Sequence, residues 1–152
     1  MNHRLAAEEI DEAFCALCEE TAFLLLDPSC GPTPPPDSPA LAATVAISGA
    51  MNGTITIAAS LELCCTIASD MLAMDPAEID HTTAAAALGE LTNIAAGVLV
   101  GRRTDCHGVC EFSPPNGASL SEAEWEHLAS NANTRGFCAD EGGALLALSL
   151  ET

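Results

Sequence analysis

The stretch from Ala84 to Gly101 constrains the fold most, because it is almost entirely aliphatic or small and yet contains Glu90 and Asn93. Its length corresponds to about five helical turns. At about 100° per residue, the polar pair falls on one side of such a helix with Ala86 and Gly97, while aliphatic residues occupy the other sides. Apart from that pair, only Thr92 is polar. We therefore predict a helix that is buried on its aliphatic sides and faces solvent along Glu90 and Asn93.

The charge of the chain limits its partners. It has 152 residues, enough for one domain with a hydrophobic core, and 49% of them are hydrophobic. Twenty-two acidic residues face four arginines, so the formal net charge is −18. A surface of this charge repels phosphate backbones and anionic lipids, so we expect neither nucleic acid nor membrane as a partner.

The N-terminus and the cysteines favour a cytoplasmic protein. The first residues contain no apolar signal-peptide core, and the longest apolar run, around residues 94–100, is too short to span a bilayer. The eight cysteines should then be reduced, and most should act as small buried hydrophobic residues. The cluster Cys106, His107 and Cys110 leaves a metal sensor open as an alternative, although no second ligand pair accompanies it.

The remaining pattern predicts an α/β (α+β) fold with long helices packed on one face of a mostly antiparallel sheet. We treat residues 1–152 as one domain and the Pro-rich segment 27–40 as a loop inside it. The N-cap residue Ser60 and the pair Asp75-Pro76 mark helix boundaries. The predicted elements are helices over 5–26, 61–74, 78–101 and 121–130, a hairpin over 44–59 turning at Asn52-Gly53, and strands over 106–112, 135–139 and 144–150.

The chemistry available to Glu90 and Asn93 is narrow. Neither is an activated nucleophile, and His81 lies nine residues before Glu90. A carboxylate can pair with a lysine, and a carboxamide can hold a water molecule through its oxygen and its nitrogen. In phosphoryl transfer, positioning of the attacking water is most of what catalysis demands. An isolated E-x-x-N pair is nevertheless more often just the solvated side of a helix.

The longer pattern E-L-x-N-[IV]-x-x-G is more specific. Here it reads Glu90-Leu91, Asn93-Ile94 and Gly97, and it follows a hairpin and a helix. In this form the chain resembles the CheC/CheX/FliY family of chemotaxis phosphatases, and within it the CheX-like branch. The similarity covers most of residues 5–115. The first helix has no second copy of the motif, which also resembles the CheX-like branch.

The resemblance implies a CheX-like fold and a protein aspartyl-phosphate phosphatase acting on a CheY-type response regulator. Glu90 would pair with the regulator's lysine, and Asn93 would orient the attacking water. Ala86, Gly89 and Gly97 would contact the partner. The resemblance also implies a homodimer and no cofactor of the chain's own, since Mg²⁺ belongs to the regulator. Where family members often have Asp or Ser, this chain has Ala86.

A non-catalytic module that binds a receiver domain or a flagellar-switch protein is the alternative. The presence of Asn93 favours the enzyme, because docking alone does not need a carboxamide. The sequence leaves open which regulator is the partner and which two-component pathway it serves.

Overall fold

A computed structural model describes residues 5–28, 33–103 and 108–151. Within them lie four α-helices, one short 3₁₀ helix and seven strands. In chain order they are α1 (Ala7–Ala22), β1 (Asp27–Pro28), β2 (Ala40–Gly49), β3 (Asn52–Ser60), α2 (Leu61–Leu72), the 3₁₀ helix Pro76–Glu78, α3 (His81–Gly101), β4 (Cys110–Phe112), β5 (Asn116–Leu120), α4 (Glu122–Ala129), β6 (Thr134–Ala139) and β7 (Gly142–Glu151).

The strands form one antiparallel sheet in the order β1-β6-β7-β3-β2-β4. β5 also pairs with β2, on the same edge as β4. β4 pairs with residues 47–49 of β2, and β5 pairs with residues 40–44. The predicted mixture of helices and a mostly antiparallel sheet is therefore confirmed.

Alternate residues of β2, β3 and β7 serve two separate cores. Residues such as Val45, Ile57 and Leu146 pack with α1, α2 and α3 in the main core. On the opposite face, which we call the second face, Ala42, Ala58 and Leu145 pack against Trp125 of α4. The prediction that the helices lie on one face of the sheet is therefore wrong for α4, because its Trp125 and Leu128 pack on the second face.

The turn of the β2–β3 hairpin differs from the prediction. Gly53 pairs with Ile47 inside the ladder, so the chain reverses around Ala50 and Met51 and not at Asn52-Gly53. A Cβ on Gly53 would lie 1.8 Å from the carbonyl oxygen of Ser149 in β7. The glycine therefore permits the close approach of two strands. An Asn-Gly pair in a sequence can indicate either this role or a turn.

Most helix boundaries were predicted to within a few residues. Ser60 accepts a hydrogen bond from the Leu63 amide at 3.0 Å, which confirms it as the N-cap of α2. Asp75 caps the 3₁₀ helix before α3. α1 ends at Ala22, four residues early, because Phe23 adopts a left-handed conformation with φ 51°. Strand β5 was not predicted, since it is an exposed edge strand of small residues with no alternation.

α3 is long and apolar enough to cross a membrane by length and composition alone, with a mean hydropathy of 1.5 over its most apolar window. Of that window, 56% is buried inside the fold. This is the pattern of a core helix, and it is weak evidence for a membrane span.

Candidate functional site

The helix that contains Glu90 and Asn93 begins at a well-formed cap. Asp80 accepts a hydrogen bond from the Thr83 amide at 2.7 Å. Hydrogen bonding from the Thr83 side chain, and then from this amide, lowers the pKa of the Asp80 carboxyl. α3 therefore starts at His81, three residues later than predicted. From there it packs against α1, α2 and β2.

The three polar residues in the middle of α3 have different environments. Thr92 is fully buried, and its hydroxyl donates to the Leu88 carbonyl at 2.7 Å, which satisfies it within the helix. Glu90 and Asn93 are exposed. Ala86 and Gly97 are exposed as well, so the four residues form a stripe on which only Glu90 and Asn93 extend beyond a methyl group. The predicted exposure of this stripe is confirmed.

Glu90 and Asn93 are neighbours on the helix surface. Residues three apart place their Cβ atoms about 5–6 Å from each other, so both side chains can reach one small group on a partner. Their neighbours Ala86 and Gly97 leave the backbone of α3 open to close approach. This side of the helix therefore presents one carboxylate and one carboxamide on an otherwise flat Ala and Gly surface.

Gly89 lies elsewhere. It is buried, and a Cβ placed on it would lie 3.1 Å from the Cβ atom of Pro115. The expectation that Gly89 contacts a partner does not fit this position. Its role in the structure is to let the segment between β4 and β5 pack directly against α3, beside Glu90.

That segment is itself fixed to the sheet. Ser113 donates its amide to the Ala46 carbonyl at 2.9 Å, and its hydroxyl accepts from the Ala46 amide at 2.8 Å. Two residues later, Pro115 contacts Gly89. No local signal in the sequence links Ser113 or Pro115 to α3.

Beyond Asn93 the stripe leads into a shallow depression of about 330 Å³. Gly97, Gly101, Val100 and Phe112 line it, and nothing lies within 4 Å of a Cβ placed on Gly97. Phe112 is 39% exposed. The surface next to Asn93 therefore has both open space and an accessible apolar side chain.

The thiols of Cys18 and Cys64 are not activated as nucleophiles. Burial, more than the neighbouring cysteine, raises the pKa of Cys18 and of Cys64 to about 12, so both stay protonated at neutral pH. Among residues 5–28, 33–103 and 108–151, no three His, Cys, Asp or Glu side chains are grouped as metal ligands. Of the alternative metal cluster, Cys106 and His107 lie outside the described residues.

Comparison with protein families adds the decisive observation. A family model described as "Chemotaxis phosphatase CheX" matches residues 41–135, which is more than half of the chain and includes α3. The chain belongs to the CheX family. No protein of curated function matches the sequence significantly.

Solved structures of CheX and CheC-like proteins share the fold. CheX from Vibrio vulnificus has a TM-score of 0.71 at 16% identity, covering 99% of this chain and 100% of that chain. A CheC-like superfamily protein from Shewanella sp. PV-4 has a TM-score of 0.65 at 16% identity, over 94% of this chain and 95% of that chain. A CheX–CheY–BeF3–Mg²⁺ complex from Borrelia burgdorferi has a TM-score of 0.65 at 18% identity, over 98% of this chain and 100% of that chain.

The two glycines of α3 provide a test of this geometry. Gly97→Ala should raise the free energy of unfolding by about 0.5–1 kcal/mol, because alanine favours a helix and the space is empty. Gly89→Ala should gain less or lose stability, because its methyl group must displace Pro115. Denaturant unfolding of both variants measures the difference, and an equal gain in both would contradict the close contact.

Proposed function

We propose that this chain dephosphorylates the aspartyl phosphate of a CheY-type response regulator. The observation that supports the proposal most strongly is the joint exposure of Glu90 and Asn93 on a stripe that is otherwise Ala and Gly. Membership of the CheX family and the CheY complex of the Borrelia relative are consistent with it.

In this mechanism Asn93 acts on water. Its carboxamide accepts one hydrogen bond from the attacking water and directs the oxygen toward phosphorus, in line with the aspartyl oxygen that leaves. The new P–O bond forms as the bond to the aspartyl oxygen breaks, and the products are inorganic phosphate and the free carboxylate. The regulator supplies the acyl phosphate and binds the Mg²⁺ that neutralises charge on it.

Glu90 acts on the regulator. Its carboxylate pairs with the regulator's active-site lysine, which holds the helix in register with the phosphate. Ala86 and Gly97 also let the backbone of α3 approach the regulator closely. A chain of net charge −18 repels an anionic site in general, so a local contact with lysine has particular value for binding.

The first prediction concerns the two polar side chains. In a panel of phosphorylated receiver domains with Mg²⁺, the wild-type chain should shorten the phosphate lifetime of its cognate partner, and Asn93→Ala should lose most of that effect. Glu90→Ala should mainly weaken binding, by about 1–3 kcal/mol or about 5- to 150-fold, since one charge-assisted contact is removed.

Leu72→Ala, at an exposed position on α2, is the matched control and should leave the lifetime unchanged from wild type. Full acceleration by Asn93→Ala would contradict the mechanism. Tight binding to a receiver with no change in its phosphate lifetime would instead favour the docking module.

The second prediction concerns Gly97, the position of the stripe that has no side chain. Gly97→Trp fills space that is open in the free chain, so the fold should persist while the partner is blocked. The KM for the phosphorylated regulator should rise at least tenfold, a loss of about 1.4 kcal/mol in binding. Gly97→Ala is the matched control, and a wild-type KM in the Trp variant would contradict docking at this end of α3.

The third prediction concerns self-association. We propose that the chain is a cytoplasmic homodimer whose cysteines are reduced. On the second face, Thr44, Ala46, Thr54 and Ala147 continue past α4 as small neutral side chains, and Thr44 bonds Thr56 at 2.8 Å. These side chains carry no charge, so this patch itself adds no repulsion between two copies of an acidic chain. Sedimentation of the wild-type chain should therefore give a mass of twice 15.5 kDa. The Thr54→Glu variant should give the mass of one chain. A monomeric wild-type chain at micromolar concentration would contradict the proposal.

A further inference from the structure

The apolar segment that joins α1 to β1 exposes two large side chains. Leu24 and Leu26 are buried in the main core, whereas Phe23 is 75% exposed and Leu25 is 72% exposed. The segment is fixed at both ends, because the Leu24 amide donates to the Cys18 carbonyl at 3.1 Å and β1 pairs with β6. Phe23 and Leu25, which we call the apolar pair, are therefore held at the surface by packed neighbours.

Phe23 also has an unfavourable backbone conformation. It is the residue at which α1 ends, with φ 51° and ψ 31° in the left-handed region. Helices often end in glycine at such a position, because a Cβ atom is disfavoured in this conformation. Phenylalanine here costs backbone energy and gains little from burial. Folding alone therefore does not account for it, and a role in binding does.

The apolar pair borders an open cavity of about 420 Å³ between the end of α1, α2 and the turn that joins β6 to β7. Four acidic residues, which we call the acidic rim, line the same cavity: Asp27, Asp70, Asp140 and Glu141. None of its described lining residues is basic. The last turn of α1 contains no basic residue either, so the negative end of that helix dipole adds to the rim. The surface therefore combines exposed apolar groups with a negative potential.

This combination determines the kind of partner. A negative rim repels nucleic acid and anionic lipid and attracts Lys and Arg side chains. A simple cation would leave the apolar pair uncovered, so the partner needs an apolar group as well. A second copy of the chain is a poor source of such a segment, because the chain has no lysine and its longest basic run is Arg102-Arg103. The charge complement is therefore a segment of a different protein.

We propose that the apolar pair and the acidic rim bind a short basic segment of a partner protein, in which a large apolar side chain lies between Lys or Arg residues. The apolar side chain would lie against Phe23 and Leu25, and the flanking cations would pair with the acidic rim. No residue of the exposed stripe on α3 lines this cavity. The site therefore stands independently of the phosphatase proposal.

Three fluorescein-labelled peptides test the chemistry of the partner. They are Lys-Arg-Phe-Lys-Arg, the same peptide with serine in place of phenylalanine, and Glu-Asp-Phe-Glu-Asp. Anisotropy is measured at neutral pH in about 0.15 M salt, which screens diffuse attraction to an acidic chain beyond about 8 Å. The first peptide should bind saturably, and the other two at least tenfold more weakly. No saturable binding of the first peptide would overturn the proposal, and equal binding of the serine peptide would overturn the role of the apolar pair.

Phe23→Gly tests the apolar pair without a risk to the fold. The variant should weaken binding of the first peptide at least tenfold. It should also melt about 2–4 °C higher than the wild type, because glycine relieves the left-handed conformation. Wild-type affinity in this variant would overturn the site, and a lower melting temperature would overturn the claim that folding disfavours phenylalanine there.

Asp70→Asn combined with Asp140→Asn tests the acidic rim. This double variant should weaken binding of the first peptide by about three- to tenfold, the effect of two surface ion pairs. The matched control is Glu122→Gln with Glu126→Gln, which removes the same charge from exposed positions on α4, on the opposite face of the sheet. An equal loss in both double variants would overturn a local rim. Asn93→Ala should bind the peptide like the wild type, and a loss there would overturn the independence of the two sites.

Discussion

The contact between Gly89 and Pro115 determines where the candidate site lies. Ser113 fixes the segment between β4 and β5 to β2 through two hydrogen bonds with Ala46, and two residues later Pro115 packs against α3. Because Gly89 has no side chain, the helix can lie close to this edge of the sheet. Glu90 follows immediately, so its position is coupled to the sheet and not only to its own helix. The candidate site therefore has a rigid base.

A further constraint is that the polar side chains of α3 have different environments, one buried and two exposed. Thr92 is buried and satisfied by the Leu88 carbonyl, so the only polar side chains left on the exposed middle of the helix are Glu90 and Asn93. Neither group has an adjacent base that would activate it as a nucleophile, and the buried thiols of Cys18 and Cys64 stay protonated. The chemistry that remains is to position water and to pair with a cation. In the proposed mechanism the partner brings the phosphate.

The sequence predicted the parts of the structure that depend on local pattern. The exposure of Glu90 and Asn93 followed from helical periodicity, and Ser60 was recognised as a cap from its residue type. The buried position of Gly89 could not be predicted, because it depends on Pro115, which is distant in sequence. The face chosen by α4 depends on where Trp125 finds an apolar surface, and the edge strand β5 has no period of its own. Long-range contacts therefore account for what sequence reasoning missed.

The central claim is that Asn93 orients the water that attacks the phosphate once the partner is bound. The most direct measurement is the single-turnover decay of a phosphorylated cognate receiver domain, fully saturated with either the wild-type chain or Asn93→Ala. The account predicts fast decay in the wild-type complex. It predicts that the Asn93→Ala complex, although equally saturated, decays at nearly the rate of the free receiver. Equally fast decay in both saturated complexes would contradict it.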